Sequence, residues 1–99
     1  MYVSVAKGRL QPGRTEESIA LWRNTLLPEL RQHEGFRELL LMGDRLTGEG
    51  LSITLWETEE DFRTTASERG HQQTFSKVGP LYCGPLEFST YELFLQEEG

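Results

Sequence analysis

The chain reads as an α+β fold of element order βαββαβ, a four-stranded antiparallel sheet with two crossover helices on one face. Three observations predict it. Leu51, Ile53 and Leu55 alternate with Ser52, Thr54 and Trp56, the two-residue period of a pleated strand. Thr58, followed by Glu59, Glu60 and Asp61, is a helix start: the hydroxyl caps the Asp61 N–H, and the acids sit where the helix dipole favours negative charge. Ile19, Trp22, Leu26, Leu30 and His33 recur at helical spacing and give one apolar face.

Each element follows in order. Tyr2 to Lys7 alternates as a first strand, and Gln11-Pro12-Gly13 turns the chain. Thr15 is the expected N-cap of the first helix, with Glu16 and Glu17 behind it. Pro28 lacks the N–H that would bond the Asn24 carbonyl, so a bend or break is expected there. Gly35 is expected in the C′ position that ends this helix. Phe36 to Met42 forms the second strand, and the Gly-rich stretch from Gly43 to Gly50 is a hairpin connection. Strand three and the Thr58 helix follow. That helix weakens at Gly70, and His71, Phe75 and Val78 line one face of a further short helix ended by Gly79-Pro80. Gly84-Pro85 is a loop, Phe88 to Leu95 is the last strand, and Glu97-Glu98-Gly99 is a frayed tail. The order is the ferredoxin-like split arrangement.

Composition bounds the function. The 99 residues make one domain, 1–99, and 36% of them are apolar, a globular composition. A net charge of −6, with basic residues scattered rather than clustered, argues against nucleic acid. No stretch has membrane-spanning length, so no membrane partner is expected. The single Cys83 excludes an internal disulfide, and strand-like alternation from Tyr2 leaves no signal-peptide region; cytoplasmic localisation is the expectation. The histidines, His33 and His71, lie far apart without ligand spacing, and no metal site is expected. Leu39 to Met42 is apolar at both strand parities, and Leu93-Phe94-Leu95 behaves likewise. A second copy covering the sheet face opposite the helices is the simplest explanation, so a homodimer is expected.

Several of these features together resemble the antibiotic-biosynthesis-monooxygenase-like family of dimeric α+β barrels. They are Gly35-Phe36 opening strand two, Trp56-Glu57 ending strand three, Phe62 on the helix behind it, and Gly79-Pro80-Leu81 before a closing strand with Tyr91. The resemblance spans nearly the whole chain. It implies cofactor-independent oxygenases acting on polyketide phenols, haem-degrading enzymes, or proteins without assigned activity, and fold does not choose among these. The haem-degrading branch resembles the chain through Trp56-Glu57 and Phe62. Its second Trp falls at Thr65, its axial His near Phe75, and its first-strand Asn has no counterpart between Tyr2 and Lys7. A Phe cannot ligate iron, so neither haem nor any other cofactor is expected. Of the polar set of the quinone-forming oxygenases, Trp56 carries over, whereas Phe62 stands where a Tyr would.

The expected activity is cofactor-free oxidation of an aromatic or polyketide-like molecule; the alternative is a non-catalytic dimeric domain that binds a small hydrophobic ligand or is purely accessory. His71 is the general-base candidate, since imidazole titrates near neutral pH. Its competing reading is an exposed helix residue. Trp56 is the indole donor candidate against a strand-end core aromatic. Trp22, Phe62 and Phe75 are the candidate ligand-binding aromatics; for Trp22 the helix stripe equally describes core. Tyr82 and Tyr91 are hydroxyl donors that no pattern singles out. A cleft between the first helix and the sheet, approached by Trp22 and Trp56 with His71 at its mouth, is the expected site. Polar groups converging there would favour the enzyme, and a filled core the accessory role.

Overall fold

A computed structural model describes residues 1–67 and 76–99. The strands are β1 (Tyr2–Arg9), β2 (Phe36–Gly43), β3 (Glu49–Trp56) and β4 (Glu87–Glu92). The helices are α1 (Thr15–Leu21), α2 (Leu27–Leu30) and α3 (Glu59–Ser67), with a 3₁₀ turn at Gly79–Leu81. The sheet order is β2-β3-β1-β4 with every neighbouring pair antiparallel, the predicted ferredoxin-like arrangement. α1 through α2 and α3 each return the chain to the same sheet.

Register decides which residues share a face. Tyr2 stands opposite Trp56, Ser4 opposite Thr54, and Ala6 opposite Ser52. Leu39 and Leu41 pair with Thr54 and Ser52. This is the helix-covered face, because Trp56 packs in one buried cluster with Trp22, Leu26 and Leu30 of the first helical layer and with Val78. Val3, Val5, Leu40, Met42, Ile53 and Tyr91 therefore share the opposite face. Leu40, Met42 and Tyr91 on it are exposed.

The first helix starts one residue earlier than a Thr15 cap requires. Arg14 is the N-cap residue, no side chain caps the turn, and Thr15 is already helical. The Arg14 guanidinium instead pairs with Glu17 one turn on. The expected break at Pro28 takes the form of a widened π-helical turn over Trp22–Leu26, in which the Leu27 N–H bonds the Trp22 carbonyl. The α register resumes with Pro28 in the first turn of α2, where its missing N–H costs nothing. α2 is capped by Arg31, so Gly35 is not its C′ residue. Gly35 does hold a left-handed φ of +82°, four residues later in the connection to β2.

At α3 the Thr58 hydroxyl accepts the Asp61 N–H at 3.0 Å, as the sequence predicts. The Asp61 carboxylate lies against Gly35: a Cβ there would come within 2.2 Å of its Oδ2. The hairpin is closed by Asp44, whose Oδ1 accepts the Leu46 and Thr47 N–H groups. β4 ends at Glu92, so Leu93-Phe94-Leu95 lies beyond the sheet ladder. The Leu93 N–H still reaches the Met1 carbonyl, but Phe94 and Leu95 are 89% and 72% exposed. No helix among the described residues is long and apolar enough to cross a membrane.

Candidate functional site

Three of the sequence candidates come together. Trp22 and Trp56, each 1% exposed, belong to one core cluster, and Phe62 packs against it. The Trp56 ring meets Phe36 edge-on at 5.5 Å between centroids and Phe62 at 6.1 Å. The Trp56 indole N–H donates to the Thr54 hydroxyl at 2.9 Å, two residues back on its own strand. The space between these two tryptophans is thus closed by packing, and Trp56 has its donor engaged. His71 and Phe75 lie outside the described residues.

A cavity opens beside this core, at the other end of β3. It holds about 160 Å³ and lies between the start of α1, the β2–β3 hairpin and Tyr82. Leu10, Ile19 and Leu41 supply apolar wall. Ser18 and Tyr82 supply hydroxyls, and Arg45 stands where the hairpin meets α1. The Arg45 guanidinium pairs with Glu16 of α1, linking the two sides.

Local structure explains why Tyr82 stands there. The Tyr82 N–H bonds the Gly79 carbonyl, ending the 3₁₀ turn. The Cys83 N–H then reaches the Arg9 carbonyl at 2.8 Å, and the Gln11 N–H reaches the Leu81 carbonyl at 2.9 Å. These bonds lay residues 81–83 along the end of β1, where Leu10 and Tyr82 form a bridge pair. The ring needs Gly8 beneath it, since a Cβ at position 8 would stand 2.8 Å from its Cδ1.

Burial raises the Tyr82 phenol above its ordinary value, and hydrogen bonding to Ser18 and Trp22 partly offsets this. At neutral pH Tyr82 is therefore a neutral phenol, able to donate a hydrogen bond and not to act as a base. Ser18, only 5% exposed, sits one turn before Trp22 on the same helix face. The arrangement offers an apolar space about one aromatic ring in size, with hydroxyl groups in its wall and a cation at its edge.

Sequence reasoning named Trp22 and noted Tyr82, but missed Ser18 and Arg45 as parts of one place. Ser18 was detectable as a small polar residue one turn before Trp22, in line with the Trp22-Leu26-Leu30 stripe. Arg45 gave no signal, being one polar residue in a turn. Among the described residues no group of three His, Cys, Asp or Glu side chains is placed to hold a metal ion.

Solved structures share this architecture at low sequence identity, which speaks to fold. A Streptomyces coelicolor monooxygenase solved with nanaomycin D superposes with a TM-score of 0.83 at 14% identity, over 99% of this chain and 91% of that one. SnoaB, a cofactor-independent oxygenase from Streptomyces nogalater, gives 0.78 at 16% identity over 96% and 94%. A conserved protein from Methanosarcina mazei gives 0.74 at 16% identity over 91% and 89%. No curated protein matches the chain in sequence. The sequence model of the antibiotic biosynthesis monooxygenase family matches residues 1–77. With the sheet order, the two crossovers and this match all in agreement, the chain belongs to the antibiotic biosynthesis monooxygenase family.

Proposed function

We propose that the protein is a cofactor-independent monooxygenase acting on an aromatic or polyketide-like small molecule in the cavity between α1 and the β2–β3 hairpin. The observation that carries this reading is the cavity itself: apolar walls with the Ser18 and Tyr82 hydroxyls in them. Family membership supports the reaction class. In that chemistry the substrate phenol loses its proton, and the resulting anion supplies electrons to dioxygen. A C–O bond forms at the activated ring carbon and the O–O bond breaks. One oxygen stays in the product and the other leaves as water, so RCH₂ + O₂ gives RC=O + H₂O. Tyr82, held neutral, donates a hydrogen bond to the developing oxyanion, and the apolar wall excludes water from it. His71 is proposed as the group that takes the phenol proton. Trp22 backs the Tyr82 hydroxyl from the core, and Trp56 and Phe62 hold that core in place.

We also propose that the protein works as a cytoplasmic homodimer joined through the sheet face opposite the helices. The support is the row of exposed apolar side chains on that face, Leu40, Met42 and Tyr91.

One observation favours the non-catalytic alternative: the space between Trp22 and Trp56 is filled, as an accessory role predicts. Oxygen consumption separates the two readings. An oxygenase consumes oxygen with an anthrone-like or hydroquinone substrate without added cofactor. His71→Ala then lowers the rate by roughly 10²-fold or more, the scale of a lost general base, with an unchanged thermal melt. No uptake by the wild type across such a panel rejects the oxygenase reading, and unchanged uptake in the variant removes His71 from it.

A further inference from the structure

We propose that the cavity selects a single-ring phenol bearing an anionic substituent, with the anion on Arg45 in place of Glu16. This rests on the reading of the cavity as the substrate site and adds its substrate class. The volume of the cavity limits the size of the ligand. About 160 Å³ is available, and an apolar cavity of about 150 Å³ accommodates benzene. One ring fills the space, whereas a fused three-ring skeleton would leave much of its apolar area in water.

The polar lining residues set the chemistry of the ligand. Ser18 and Tyr82 can receive a ring hydroxyl, while Arg45 lies at the junction of hairpin and helix. A ligand that fills the cavity therefore meets hydroxyl-bearing residues and a cation in one lining.

The charged lining residues differ in how firmly they are committed to partners. Among the described lining residues, Asp44 is committed to the Leu46 and Thr47 N–H groups of its turn. Glu49 pairs with Arg9 at 3.1 Å. Arg45 is the cation, and its partner Glu16 is not among the residues lining the cavity. The side chains of this pair are 67% and 74% exposed. Exposed pairs contribute little stability, so exchanging the Glu16 carboxylate for a ligand carboxylate costs little. The guanidinium can then engage the ligand carboxylate through two parallel hydrogen bonds. A chain of net charge −6 otherwise repels an anion, which makes a local cation the condition for binding one.

The test is calorimetric titration of the full chain with 4-hydroxybenzoate, with phenol, and with an anthrone-type three-ring compound. The wild type should prefer 4-hydroxybenzoate to phenol by about tenfold, the scale of one charge-assisted hydrogen bond. Arg45→Gln should abolish that preference and leave phenol affinity unchanged. Glu16→Gln, which removes the competing carboxylate, should tighten 4-hydroxybenzoate alone. Both side chains are exposed, and unaltered circular dichroism confirms that the variants fold. Equal wild-type affinity for the two single-ring ligands, or a preference that survives Arg45→Gln, overturns the proposal. Binding in this pattern without oxygen uptake on any phenol upholds the ligand class and rejects the oxygenase reading. Oxygen uptake on the three-ring compound without single-ring binding does the reverse.

Discussion

Tyr82 and the two glycines that make room for tight contacts concentrate the local chemistry of this fold. Tyr82 lies on Gly8 and meets the side chains of Ser18 and Trp22, so its phenol is half-buried and raised above its ordinary value of 10.0. The sign for stability follows from proton counting. Above about pH 10 the unfolded chain releases the Tyr82 proton while the folded chain keeps it, so stability is full below that pH and falls as pH rises further. The melting temperature should drop above pH 10 in the wild type and drop less in Tyr82→Phe; equal slopes would show that Tyr82 does not carry the effect. Gly35 combines a left-handed backbone with the Asp61 carboxylate packed on it, and its carbonyl accepts the Glu57 N–H at 2.7 Å. Gly35→Ala meets both the left-handed penalty of about 1–2 kcal/mol and a collision. It should destabilise the protein by at least that much in denaturant unfolding, whereas Gly35→Ala,Asp61→Ala together should recover part of the loss.

Among the elements, the strand-to-helix passage from β3 to α3 rests on one side-chain cap. Thr58→Ala should cost about 1 kcal/mol, read as a lower denaturant midpoint at unchanged slope. Thr58→Ser keeps the hydroxyl and should cost much less. The helix over residues 15–30 shows the opposite case, a start without a side-chain cap and a π-helical turn ahead of Pro28. That turn carries Trp22, the residue that links the core to the Tyr82 hydroxyl. A π turn shifts every later side chain around the helix axis, so it sets where Leu26 and Leu30 meet the sheet as well as sparing the missing Pro28 N–H. The strand β3 and the Thr58 start were legible because alternation and capping are local patterns. The Arg14 start was not, since an N-cap without a side-chain bond carries no residue signature.

The whole molecule is a two-layer slab, 36 × 35 × 22 Å, with helices on one side of the sheet. The other side presents Leu40, Met42 and Tyr91 to solvent. Leu40→Asp should therefore convert the proposed dimer to monomer in light scattering at micromolar concentration, because a buried unpaired carboxylate is costly. Leu41→Asp, on the helix side in the cavity wall, should leave the mass unchanged and weaken ligand binding instead. A monomeric wild type, or dissociation by Leu41→Asp alone, would reject the assignment of the faces. The surface ion pairs contribute far less at this scale. Pairs such as Arg9 with Glu49 and Arg63 with Glu59 are more than half exposed, so water and salt screen them and each adds little.

Local pattern was enough to set the element order, the β2–β3 hairpin, the Thr58 cap and the apolar stripe of the first helix, since each depends on neighbours within a few residues. The same reasoning recognised that the apolar run Leu39 to Met42 had two buried or bury-ready faces. It could not say which face was which: a two-residue period divides a strand into two sets and leaves their direction open. Pairing of Leu41 with Ser52 and of Leu40 with Ile53 decided that, because Ser52 shares its face with Trp56 and so with the helices. The cavity was still further from view. Ser18, Trp22, Arg45 and Tyr82 come from a helix, its π turn, a hairpin and an irregular segment, and only tertiary packing brings them to one place. Tyr82 reaches it through backbone hydrogen bonds between residues 9–11 and 81–83, contacts that leave no periodic trace because both segments run off the ends of regular elements.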